Sequence, residues 1–160
     1  MKFNGDRMHS LLSEYLQAVK RLEELAALKE EEFLADHHKI ASAKYHLVIC
    51  IEAAIDLSNH LIAKNRLRVP EDYADTFRIM GENGLFPQDF VPKLIAMAGF
   101  RNRLVHRYWD VDNKKVFSIL QENLPDLHQF INELKARLPI VLKDARPLPK
   151  ASQDKEKKGN

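Results

Sequence analysis

From Arg7 to Leu138 the apolar side chains recur at three- and four-residue spacing, and nowhere do they alternate with a period of two for long enough to build a strand. A period near 3.6 places such residues on one face of a helix, and faces of that kind bury themselves only against other helices. The chain is therefore read as all-α, an up-and-down bundle of about five helices. Leu11, Leu12, Tyr15, Leu16, Val19, Leu22 and Leu25 mark a first helix over about 7–28. Ile40, Ala43, Leu47, Cys50, Ile51, Ile55 and Ile62 mark a second over about 33–64, bent near His37-His38, with Glu30-Glu31-Glu32 as a solvated junction before it. A short helix over about 71–80 ends at Gly81, and residues 81–87 read as a loop. A fourth helix covers about 88–105 and a fifth about 113–138, kinked at Pro125. Residues 1–144 form one helical domain. From about residue 145 proline and charge replace apolar residues, and 145–160 is expected to be a disordered tail.

The net charge of +2 divides unevenly. The last 18 residues hold six basic and three acidic side chains, so the remainder, with 19 and 20, is nearly neutral. That excludes a globally basic nucleic-acid clamp and leaves room for a local patch. Arg101, Arg103, Arg107, Lys114 and Lys115, opposed only by Asp110 and Asp112, supply one. The longest stretches without Asp, Glu, Lys or Arg, such as Tyr45–Ile51, run seven residues against the roughly 20 of a membrane span. The opening M-K-F-N-G-D-R has no apolar core of a secretory signal. A cytoplasmic protein without a membrane segment is expected. A single cysteine, Cys50, excludes an internal disulfide and any multi-cysteine metal site; placed in Leu47-Val48-Ile49-Cys50-Ile51, it reads as inert core.

The segment richest in chemistry is Phe100-Arg101-Asn102-Arg103-Leu104-Val105-His106-Arg107-Tyr108-Trp109-Asp110. At about 100° per residue from Phe90, the apolar residues Leu94, Ile95, Ala98, Val91 and Val105 span an arc of about 40–140°. Arg101 falls near 20° and Asn102 near 120°, toward that packing face, while Arg103 lies outside it near 220°. A charge and an amide aimed at a packing face need partners or a purpose, because burying them unpaired costs several kcal/mol. Arg101 and His106 lie about 140° apart around an ideal helix, so a shared site requires the helix to loosen or end there, or a second subunit to complete it. On the second helix Val48 and Ile49 point away from the main apolar arc, which suggests a homodimer or a helical partner. Glu52, Asp56 and His60 form a stripe every four residues, read chiefly as solvated or interface residues and less as support for a cleft or a metal. Trp109 is read as a packing anchor.

R-N-R-L-V-H-R-Y resembles the R-x-x-x-x-H-x-Y motif of the HEPN superfamily. With F-R-N-R-L-V-H-R-Y-W-D-V-D, the later L-P-D-L and A-K-Y-H-L-V-I-C-I-E-A-A-I-D-L-S-N-H-L-I-A, residues 8–138 are similar to the HepT-type ribonuclease toxins paired with a minimal nucleotidyltransferase antitoxin. The resemblance implies a homodimeric bundle with two motifs facing across a composite cleft, and RNA cleavage that needs neither metal nor cofactor. It implies that Arg101 holds the scissile phosphate, since a guanidinium fork suits phosphate oxygens. His106 serves as general base or acid, a task suited to a side chain that ordinarily titrates near pH 6.5. Asn102 orients the imidazole or the phosphate, and a 2′,3′-cyclic phosphate is left. Arg103, Arg107, Lys114 and Lys115 supply salt-sensitive attraction to RNA. Tyr108 stacks a base or is the position adenylylated by the antitoxin. The competing reading is a non-catalytic helical module that binds a nucleotidyltransferase or a nucleotide.

Overall fold

In a computed structural model, which describes residues 1–138, the chain is helical throughout, with seven α-helices and one 3-10 turn among the described residues. They are α1 (Gly5–Ala26), α2 (Glu30–Leu34), α3 (His37–Lys64), α4 (Tyr73–Glu82), α5 (Val91–His106), the 3-10 turn Tyr108–Asp110, α6 (Asn113–Glu122) and α7 (Leu124–Arg137). The expected tail, and the join between domain and tail near residue 144, lie outside the described residues.

Two of the five expected helices are each broken in two. The Asp36 carboxylate accepts from the His38 and Lys39 backbone N–H groups at 2.9 and 3.4 Å, so α3 starts afresh there instead of continuing a bent helix through His37-His38. At the other site α6 closes at Asn123. Pro125, at the second position of α7, has no N–H to give, so the chain opens a new helix where a kink was expected.

α3 is the axis of the bundle. Its contacts run mainly to α1, with α4, α5, α6 and α2 around it. By length and mean hydropathy, 1.3 over its most apolar window, α3 could also cross a membrane, but 56% of that window is buried inside the bundle. Tyr15, Phe33, Phe77, Phe86, Phe90 and Phe130 are the largest fully buried side chains. Tyr15 stacks on Phe130 at 5.2 Å and its hydroxyl donates to the Leu127 carbonyl at 2.8 Å, which ties α1 to α7 inside the core. Cys50 is fully buried, as expected, and burial pushes its thiol well above the ordinary range.

α4 and its approach hold α5 in place. Arg68 donates to both oxygens of the nearly buried Asp75 at 2.7 and 2.8 Å and to Glu82 at 2.9 and 3.0 Å, clamping the 65–72 link onto α4. Gly81 lies within α4 and does not end it. A β-carbon there would meet the Val91 Cγ2 at 2.6 Å, so glycine is what lets the start of α5 approach. The stop is Gly84, at φ +69°, with its N–H on the Gly81 carbonyl and that of Leu85 on the Met80 carbonyl, a Schellman closure.

Candidate active site

α5 remains α-helical through His106 and then stops, with Arg107 in a non-helical conformation and residues 108–110 turning as a 3-10 segment. Arg101 therefore leaves one side of the helix and His106 another. Arg101 points inward, its side chain 12% exposed, and its Nε and Nη2 donate to one oxygen of Glu52 on α3 at 3.0 and 2.6 Å. Its Nη1 donates to the Asn102 Oδ1 at 3.1 Å, and the Tyr73 ring at the start of α4 lies 5.0 Å from the guanidinium carbon. Of the five guanidinium N–H groups, one on each Nη is left for a further acceptor. A fork fixed along one edge and open at its tips is suited to a phosphate.

Asn102 and Val105, placed by the helical wheel on the packing face, are exposed. The wheel set its arc from the first turns of α5, where Val91, Leu94 and Ala98 are buried; at the other end the inward side is that of Leu104 and Arg101, which turns Asn102 and Val105 outward. Asn102 thus braces Arg101 and forms no hydrogen bond with the His106 imidazole. His106 is exposed, as are Tyr108 and Trp109. At 78% exposure Trp109 is not the packing anchor expected of it.

The basic residues differ in their surroundings. Arg107 is paired with Asp110 at 2.6 Å. Arg103 and Lys115 line a groove of about 640 Å³ between α5 and the α6–α7 corner, floored by Leu47, Ile51, Met97 and Phe100. Lys114 is exposed in the first turn of α6.

The stripe on α3 serves three different ends. Glu52, read first as a solvated residue, holds Arg101. His60 accepts the Asn4 N–H at 2.8 Å where the chain enters α1, and burial pushes its pKa down, so the neutral ring is the one that fits. Asp56 is exposed, and its carboxyl is pushed up chiefly by partial desolvation. No three of His, Cys, Asp and Glu come together in a cage for a metal ion among the described residues. Little in the sequence signals Glu52's role, since an acidic residue on an outer helix face matches an ordinary solvated position. Lys44, also on α3, passed unnoticed although at about 40° from Ile40 it lies within the apolar arc of that helix. Its Nζ sits 4.1 Å from the centroid of the Tyr108 ring.

Residues 15–134 match the family model described as ribonuclease HepT-like. The chain is 31% identical over 120 residues to the mRNA nuclease HepT of Shewanella oneidensis, covering 75% of this chain and 90% of that protein. To the tRNA nuclease HepT of Aphanizomenon flos-aquae it is 23% identical over 128 residues, 80% of this chain and 85% of that one. Among solved structures it resembles a toxin–antitoxin with AMP-PNP, at TM-score 0.76 and 28% identity over 82% of this chain and 98% of that one. The tri-AMPylated Shewanella oneidensis HEPN toxin in complex with MNT antitoxin matches at TM-score 0.75 and 29% identity, with the same coverage. By the extent of that match, the chain belongs to the HepT-like ribonuclease family.

Proposed function

We propose that this protein is an endoribonuclease that needs no metal, the toxin of a toxin–antitoxin pair, silenced by a nucleotidyltransferase that adenylylates Tyr108. It works in the cytoplasm as a homodimer. The observation that carries the reading is the guanidinium of Arg101, gripped by Glu52 and Asn102 with its tips open, one helical turn before an exposed His106.

In the reaction an imidazole takes the proton of a ribose 2′-hydroxyl, whose oxygen attacks the adjacent phosphorus. The bond to the 5′-oxygen breaks, that oxygen is protonated, and a 2′,3′-cyclic phosphate remains. Arg101 neutralises the charge that grows on the phosphorus oxygens. Because Arg101 and His106 diverge around α5, two protomers with facing motifs supply what one lacks: an arginine fork and an imidazole on opposite sides of one phosphate. Val105, exposed beside the motif, supplies apolar surface for that face-to-face contact. Adenylylation of Tyr108 adds bulk and negative charge that compete with RNA for Arg101. Lys114 adds general attraction to RNA; Arg103, Arg107 and Lys115, turned to the groove or paired with Asp110, add less.

Purified protein free of AMP should cleave RNA with EDTA present and leave cyclic phosphate ends. His106→Ala and Arg101→Ala should each lower the rate by at least about 100-fold while helix content by circular dichroism is unchanged. Variants that cleave like the parent would overturn the assignment.

A further inference from the structure

Lys44 is 6% exposed, yet among the described residues it has neither an ion pair nor a hydrogen bond. Its stem is buried along α3, while the ammonium is not sealed from water, since no buried polar atom lacks a partner. Partial desolvation lowers its pKa, with no carboxylate beside it to offset the effect among the described residues. Its one partner among the described residues is the face of Tyr108, 4.1 Å away.

Lys44 and Glu52 are eight residues apart on α3, roughly 12 Å along its axis and about 80° around it. Arg101 sits at the Glu52 end and Tyr108 at the Lys44 end. Tyr108 is 47% exposed, and the next residue, Trp109, stands almost free in solvent. Cations interleaved with exposed aromatic rings are the surface that single-stranded nucleic acid uses: rings stack the bases and ammonium groups take the phosphates. A folded protein partner would favour the same rings but gives no reason for a partly desolvated lysine without an ion pair beside them.

We propose that Lys44, Tyr108 and Trp109 form a nucleotide subsite beside the cleavage position, in which a base of single-stranded RNA stacks on Tyr108 and Trp109 and Lys44 takes a backbone phosphate. The inference rests on the ribonuclease reading and adds how the strand is held next to the cut. Arg101 grips the scissile phosphate, and the strand runs along α3 from Glu52 toward Lys44.

The test is binding of a 12-nucleotide RNA, 2′-O-methylated throughout so that it cannot be cut, followed by fluorescence anisotropy from low to high salt. Lys44→Met keeps the buried stem and removes the charge. It should lower the slope of log Kd against log salt by about 0.7, the share of one phosphate on a single strand, while Lys44→Arg keeps the parent slope. Trp109→Ala should weaken binding by about 5- to 150-fold with the slope unchanged. With unmethylated RNA, Lys44→Met should raise KM and leave kcat near the parent value. A parent slope in Lys44→Met, or parent affinity in Trp109→Ala, overturns the subsite even where the parent cleaves RNA. A parent that binds the methylated strand with these effects but cuts no RNA overturns the nuclease reading and leaves the subsite standing. A parent that binds no RNA overturns both.

Discussion

Glu52 is the residue that holds Arg101, and in the proposed reaction the arginine's chemistry rests on that hold. A guanidinium is flexible on its stem, and only a partner held by another helix can fix its plane. Both bonds from Glu52 come to one carboxylate oxygen, on the Nε–Nη2 edge, so the fork faces away from α3. Glu52→Ala should release it and lower kcat/KM by about 10- to 100-fold, the scale of a misplacement of about 1 Å. Glu52→Gln, which still offers an acceptor oxygen, should retain more of the activity than Glu52→Ala. Single-turnover cleavage by the two variants checks the order, and equal losses would mean that charge alone matters. The R-x-x-x-x-H-x-Y pattern pointed to Arg101, His106 and Tyr108 directly. Nothing local to position 52 could do the same, because its partner lies 49 residues away.

Among the elements, α5 owes its position to α4, and α4 owes its own to a charge cluster. Arg68 beside Asp75 holds that carboxyl at about 2, first through its hydrogen bonds and next through the Glu71 N–H. In the unfolded chain the same group titrates near 3.8. The folded state therefore binds fewer protons between these values, and the contribution of Asp75 is complete above about pH 4 and lost as pH falls toward 2. Arg68→Met should lower stability at neutral pH and shift acid unfolding, followed by circular dichroism, to higher pH; the gap from the parent should narrow near pH 2. Parallel acid-unfolding curves would show that Arg68 does not govern the titration of Asp75. Helix spacing revealed every long element. It marked the two breaks only as a bend and a kink, because spacing does not show where a helix closes: at Asp36 one side chain folds back on the backbone, and after Asn123 Pro125 has no N–H to give.

For the whole molecule the open question of the cleft becomes an experiment on two protomers. Mixing Arg101→Ala and His106→Ala proteins under conditions that exchange subunits should restore cleavage, since each mixed dimer carries one intact arginine and one intact histidine across the cleft. Mixed samples as inactive as either parent variant would mean that each protomer works with its own motif. The period of apolar residues determined that this chain is helical and burial of those residues determined that it is a bundle, because both follow from side chains a few positions apart. The motif pointed to the residues proposed here to carry the chemistry. Tertiary structure decided the rest: that Glu52 meets Arg101, that Lys44 backs Tyr108, and that the end of α5 buries Leu104 while Asn102 and Val105 face out. Those contacts join residues 49 and 64 positions apart, and which of them forms depends on how α5 lies across α3, a packing outcome that no local pattern encodes.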